Sequence, residues 1–389
     1  MLTLTPQYHA TKAPPSFCLL CGDQSILDAV LNVILFVPLG IGLRLAGVSR
    51  RRAFAIGLVI TITVELLQLF IPGRDTSLGD IFTNSCGGLL GILCADAWRV
   101  LVLPSPRAAS RLATGWTVLW ILMLTASGEL THISLPRTTA WGVWTPSLLH
   151  QETFPGQVLS ATAAGLPTPR SISGQSADVR RRLSSDSVVV QATVVGAALT
   201  TQRSAIASVY DLERRQVFML GQRKGNLTFS LRMRTADVKI AAPTIRLDSV
   251  FPRHRSAKLD TMLVSGGLIH HQLWVRVVRH GIVRERSLPM DAGLGWSFFL
   301  PFDYEYGAEA PWLTALWLAG LSAPAMYWAA RVGRRASLVA ATSLAAALLA
   351  APLVTGSHPT PWWEWLALIT GVIVGSAFGM STVRSQRAV

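Results

Sequence analysis

The 389-residue sequence predicts a polytopic α-helical membrane protein of about seven transmembrane helices, with an all-β jelly-roll or sandwich domain inserted after the fourth. Three observations carry this reading. Half of the residues are hydrophobic and only 14% are charged, against about a quarter charged in a soluble domain. Seven apolar runs approach the roughly 20 residues that cross a hydrocarbon core. Between the fourth and fifth runs, the pattern changes to short alternating stretches broken by Gly, Pro, Asn and Asp, the signature of antiparallel strands.

The runs cover 26–46, 53–71, 81–103, 113–128, 311–330, 337–354 and 362–380. They divide the chain into an N-terminal segment (1–24), a four-helix module (25–130), a β domain (131–308) and a three-helix region (309–389). Arginines orient them. Arg50, Arg51 and Arg52 separate runs one and two; Arg99, Arg107 and Arg111 separate three and four; Arg331, Arg334 and Arg335 separate five and six; Arg384 and Arg387 follow seven. With seven spans all of these fall on one side, which places the C-terminus in the cytoplasm and the N-terminus and β domain outside. Trp362, Trp363 and Trp365 stand where an interfacial aromatic belt is expected.

Many of the basic residues behind the net charge of +14 lie next to the runs, where they read as membrane orientation rather than nucleic-acid binding. Cys18 and Cys21 form a single C-x-x-C, and Cys86 and Cys94 lie inside a run. With no second pair and no histidine cluster, no zinc or other metal is expected, and no cofactor. The opening MLTLTPQYHATKAPPS has neither the basic start nor the apolar core of a secretory leader, so none is expected.

The first three runs carry polar groups at one end. Asp28 and Asn32 are four apart, Glu65 and Gln68 three apart, and Asp80 and Asn84 four apart, so each pair shares a helix face. Gly87, Gly88 and Gly91 follow, small residues that let helices approach closely. The loop PGRDTSLGD brings Arg74 and Asp75 within reach of the cluster. An ionised group at mid-span costs about 2.5–3.5 kcal/mol, less near the interface. Glu65 is therefore expected to pair, with Arg74 as the candidate, or to be protonated. Two uses stay open: a hydrogen-bonded cluster holding three helices together, or a polar pocket for a headgroup. Asp80 with Glu65 also fits acid–base or cation chemistry, yet no nucleophile–base arrangement is visible, so catalytic residues are left unassigned.

The blocks DAVLNVILFVPLGIGLRL and ELLQLFIPGRDTSLGDIFTNSCGGLLG, taken in order, resemble the VanZ-like family of bacterial membrane proteins, named for a teicoplanin-resistance protein. The resemblance covers about residues 25–130 and rests on Asn32, Phe36, Pro38, Gly40, Glu65, Gln68, Arg74, Asp80, Asn84, Gly87 and Gly91. It implies a role in the envelope at the cytoplasmic membrane, with a lipid-linked precursor or glycan as the expected partner, and raises glycopeptide tolerance as a family analogy. No residue that grips a glycopeptide is visible, and no oligomeric state is implied.

In the β region, Val188, Val190, Ala192 and Val194 alternate with their neighbours, as do Leu227, Phe229, Leu231 and Met233. The pattern is similar to concanavalin A-like or laminin-G-like jelly rolls, which implies glycan binding. Trp274, Tyr210 and Trp296 are aromatics that would stack on a sugar, although Trp274 reads more simply as core. Asp211, Asn226 and Asp248 are loop candidates for a glycan or calcium site. Arg214, Arg215, Arg223 and Lys224 are a solvated face or a surface for anionic polymer. GWSFFLPFDYEYG, which joins the β domain to run five, is aromatic enough to dock the domain on the bilayer.

Three functional classes follow: a ligand-binding envelope protein, an enzyme acting on a lipid-linked substrate, or a scaffold presenting the β domain to a partner.

Overall fold

The computed structural model describes residues 25–71, 76–136, 140–144, 152–167, 176–183, 187–196, 198–211, 213, 215–251, 260–300 and 304–387. Cys18, Cys21, Arg74, Asp75 and Arg214 lie outside them.

The chain opens with three antiparallel helices, α1 (Ser25–Leu45), α2 (Arg50–Gln68) and α3 (Leu78–Val102). Glycine sets their spacing. A Cβ at Gly87 would lie 2.2 Å from the Val33 carbonyl oxygen, and one at Gly91 2.1 Å from that of Val37. A Cβ at Gly40 would fall 2.1 Å from the Gly88 carbonyl oxygen, so backbone meets backbone along the whole α1–α3 seam. Gly88 is buried, but a Cβ there would meet nothing; its carbonyl is what Gly40 rests on.

At the end farthest from the β domain, Asp96 of α3 ties the triplet. Its Oδ1 accepts from Arg44 Nε at 2.9 Å and its Oδ2 from Arg50 Nε at 2.6 Å.

α4 (Pro106–Leu130) follows after three residues, capped by Ser105. It does not join the first three helices in packing. It lies instead against α6 (Ala310–Val332) and α7 (Arg334–Thr355). The reason is local: Trp116 and Trp120 donate their indole N–H to the carbonyls of Leu321 at 2.6 Å and Leu344 at 3.2 Å. Gly128 leaves room for the Thr355 side chain. α8 (Trp362–Arg387) completes this second bundle against α6. The four-helix module expected over 25–130 is thus continuous in sequence but divided in space.

Among the described residues, five helices are long and apolar enough to cross a membrane: α1, α3, α4, α7 and residues 362–382 of α8. α2 and α6 are not among them. α2 carries Arg50, Arg51, Arg52 and Glu65 within 19 residues, and α6 is diluted by three tryptophans, a tyrosine and two prolines. The expected count of seven therefore narrows to five on length and composition.

Between α4 and α6 lies a sandwich of two sheets. One runs β1 (Ala140–Trp144), β6 (Arg203–Asp211), β7 (Gln216–Arg223), β8 (Asn226–Leu231), β9 (Thr244–Leu247), β13 (Glu305–Tyr306), with β2 (Glu152–Thr153) beside β6. The other runs β12 (Ile282–Pro289), β11 (Gln272–Arg279), β10 (Thr261–Ile269), β5 (Ser187–Val195), β3 (Gln157–Ala163), β4 (Leu166–Pro167). The short helix α5 (Ser176–Leu183) precedes β5.

The alternation in the sequence becomes the core. Val188, Val190, Ala192 and Val194 of β5 and Leu227, Phe229 and Leu231 of β8, on opposite sheets, all lie buried in one hydrophobic cluster.

The sandwich is joined to the helices by a buried 3₁₀ segment, Ala292–Phe299. Trp296 donates its indole N–H to Thr314 Oγ1 of α6 at 2.8 Å, and the ring of Phe299 lies 5.5 Å from that of Trp317. A Cβ at Gly295 would meet Ser127 Oγ of α4 at 2.5 Å. Within the aromatic connector, Trp296 and Phe299 thus pack on α6.

Candidate functional site

The polar groups of the first three helices converge at the end nearer the β domain. α1 starts there, α2 ends there and α3 starts there, while α4 runs from the far end back toward the sandwich. Close α1–α3 packing brings Asn32 Nδ2 to 2.9 Å from Asp80 Oδ1, which accepts its hydrogen bond. Asn84, one turn deeper, donates to Thr61 Oγ1 of α2 at 2.8 Å and is buried. Glu65 and Gln68, also buried, turn inward from α2. Ser77 starts α3 as its N-cap, accepting from the Gly79 N–H at 3.0 Å. Its own backbone N–H donates to Glu65 Oε2 at 3.0 Å, which pins the end of α2 to the start of α3.

Asp28, half-buried one turn above Asn32, lies close enough to Asp80 for their charges to interact, and Glu65 does as well. Three carboxyl groups from three helices thus share one region, where Asp80 accepts from the Asn32 amide and Glu65 from the Ser77 backbone N–H. Among the described residues, no group of three metal-ligating side chains is assembled.

Of the residues predicted from sequence, Asp28, Asn32, Glu65, Gln68, Asp80 and Asn84 come together, and Gly87 and Gly91 make the close helix contact. Thr61 and Ser77 were missed. Both had a signal: Thr61 lies four residues before Glu65, and Ser-Leu-Gly-Asp has the spacing of a helix start. The Arg44–Asp96–Arg50 tie was missed because its members are 46 and 52 residues apart.

A second group was also missed. Glu364, in the first turn of α8, is 1% exposed, and a Cβ on Gly293 would touch its carboxylate at 2.2 Å. Asp291, equally buried, caps the 3₁₀ segment through the Gly293 N–H at 3.0 Å. Burial pushes the Asp291 carboxyl up to about 7. Two acids therefore close on one glycine at the joint between the sandwich and α8.

The β-domain candidates fare differently. Trp274, Tyr210 and Trp296 are buried, which removes their faces as sugar platforms. Asp211 is held by Arg215 Nε at 2.6 Å, Asn226 accepts from the Ser249 N–H at 3.1 Å, and Asp248 pairs with Arg246 and Arg286. Arg223 lies 3.5 Å from buried Glu305, and Lys224 occupies a left-handed turn. Charge in this domain is largely spent on charge.

Comparison with known proteins fits this geometry. Residues 3–99 match the VanZ/LLP1 family model. A curated relative, Protein VanZ of Enterococcus faecium, is 33% identical over 67 residues, which are 17% of this chain and 42% of the relative. The chain therefore spans less than half the length of that relative. The family match ends inside α3, before α4, so it covers the helices that carry the polar cluster. No solved structure matches the chain significantly.

Proposed function

We propose that this is a bacterial cell-envelope protein of the VanZ type, whose polar cluster binds the headgroup of a lipid-linked or other polar envelope molecule. The observation that carries the reading is the meeting of Asp28, Glu65 and Asp80 at one end of three packed helices, within the stretch matched by the VanZ/LLP1 model. A purely anchoring bundle gains nothing from three acids there, since each ionised group is costly next to lipid.

The arginines at the opposite helix ends support an orientation with the β domain and cluster outside the cytoplasmic membrane and the C-terminus inside, α2 and α6 crossing with the five apolar helices. The sandwich, in this reading a concanavalin A-like jelly roll, meets envelope glycan. Glycopeptide tolerance, teicoplanin included, is the expected physiological output.

The test is lipid analysis of the full chain purified in several mild detergents, with Glu65→Gln and Asp80→Asn alongside. The reading expects a co-purifying polar lipid that both variants lose while still accumulating and melting like the parent. Variants that fail to insert would instead make the cluster a structural clamp, a role the Asn84–Thr61 bond already serves. Turnover of the retained lipid would move the assignment to an enzyme.

A further inference from the structure

A groove of about 360 Å³ lies between the edge of the sandwich and the first turns of α6 and α8. One wall is polar: Gln272 of β11 with Arg286 and Ser287 of β12, and His358 from the loop before α8. The other wall is Trp362 and Trp363, whose rings stand 5.9 Å apart and nearly perpendicular. The volume falls within the range of small-ligand sites, about 300–1,000 Å³.

Two further features narrow the occupant. Trp362 is 69% exposed and heads a stripe of exposed apolar side chains down one face of α8: Leu366, Ile369 and Ile373. Their spacing of four, three and four residues keeps them on one helix face, on a helix long and apolar enough to cross a membrane. The groove therefore opens onto a track suited to a hydrocarbon chain. Its charge is already balanced: Arg286 Nη1 donates to Asp248 Oδ2 at 2.9 Å, and neighbouring Arg246 is held by Asp248 and Glu309. The Asp248 carboxylate beside Arg286 disfavours a second anion there, whereas Gln272 and Ser287, bonded to each other through Gln272 Nε2 at 3.1 Å, keep the Gln272 carbonyl and the Ser287 O–H for neutral hydroxyls, and His358, whose Nδ1 lies 2.7 Å from the Pro359 carbonyl, presents its Nε2. Exposed indole beside such groups suits the apolar face of a pyranose, whose rim hydroxyls point to the polar wall.

We infer that this groove binds the sugar headgroup of a neutral glycolipid, its acyl chains lying along Trp362, Leu366, Ile369 and Ile373. The inference rests on the orientation and glycan reading proposed above, but uses a site separate from the Glu65–Asp80 cluster.

The experiment reconstitutes the full chain in phosphatidylcholine nanodiscs carrying equal fractions of monoglucosyl diacylglycerol, diacylglycerol and phosphatidylglycerol. Lipids retained after transfer to mild detergent are quantified by mass spectrometry. Monoglucosyl diacylglycerol should be enriched about fivefold or more over both others, the scale of one or two hydrogen bonds with stacking. Gln272→Ala, Ser287→Ala and Trp363→Ala should each remove most of that enrichment, and Ser160→Ala, exposed on β3 away from the groove, should leave it unchanged. Ser287 is exposed, so its variant tests the groove without disturbing the core. Equal retention of diacylglycerol would reduce the site to the apolar stripe, and preference for phosphatidylglycerol would make it an anion site; either overturns the proposal. Enrichment that survives all three groove variants would place the sugar elsewhere, overturning the groove while sparing the glycan reading. No enrichment in any protein would sink both.

Discussion

Asn32 of α1 gives its amide hydrogen to Asp80 of α3 across 2.9 Å, and this bond joins the two helices at the level where the polar cluster begins. A bond to a carboxylate next to lipid contributes about 1.5–3 kcal/mol. Asn32→Leu should therefore lower the thermal stability of the detergent-solubilised protein, whereas Asp80→Asn should leave it close to the parent's, since an amide oxygen still accepts. A double-mutant cycle on the pair should return a coupling of roughly 1 kcal/mol or more. Additive effects would mean the two side chains do not support one another.

Gly87→Ala and Gly91→Ala should each weaken the protein far more than Gly88→Ala. A methyl group at the first two would sit 2.2 and 2.1 Å from backbone oxygens, which cannot yield without separating α1 from α3, while the third faces open space. Yield and melting temperature of the three variants, measured side by side, check the ordering.

Stability should depend on pH through Asp291. Its folded-state value is raised to about 7 from an ordinary 3.8. Between those values the folded protein holds a proton there that the unfolded chain does not, so the contribution of this carboxyl to stability falls as pH rises from about 4 to about 7. Asp291→Asn should flatten that part of the melting-temperature profile and raise stability at pH 8. A parallel profile for variant and parent would show that the carboxyl is ionised in its burial site.

Asp96→Ala should destabilise the first three helices more than Arg50→Ala does. Removing Asp96 leaves two guanidinium groups facing each other, while Arg50 is largely exposed, and exposed pairs contribute only about 0–1 kcal/mol. Urea or thermal melts in detergent distinguish the two.

Protease added to intact spheroplasts should cut within residues 140–300, and full protection there, with cleavage only after lysis, would reverse the proposed orientation. The measurement is an immunoblot against a tag at the C-terminus, which should remain protected until lysis.

How far the sequence reaches differs between the two halves of the molecule. In the sandwich, a period of two is a complete description of which side chains face inward, so Val188 to Val194 and Leu227 to Met233 are readable before any fold is known. In the helices, the faces of Asp28, Asn32, Glu65 and Asp80 follow from spacing alone, and the glycines forecast which faces meet. Partner choice between helices does not follow from periodicity. Lipid-facing and helix-facing apolar residues look alike in a bilayer, so α4 reads as a neighbour of α3 until Trp116 and Trp120 are seen bonded to α6 and α7. Glu364 was legible as a charge near a helix end but not as half of a buried pair, because Asp291 lies 73 positions earlier on a segment without regular period.

The three residues between α3 and α4 take on a meaning from that division. They form a seam between a cassette of three helices and a body in which the sandwich and the remaining four long helices are interlocked. Cutting the gene at Leu103–Ser105 would part the acidic cluster from the body at the loss of two bonds from α6, Trp328 Nε1 to the Leu101 carbonyl at 2.7 Å and the Tyr327 hydroxyl to that of Val102, whereas a cut after α4 would tear a helix out of the body and expose Trp116 and Trp120 with nothing to bond. A minimal version for reconstitution, or a graft onto another envelope protein, should therefore be drawn at the seam.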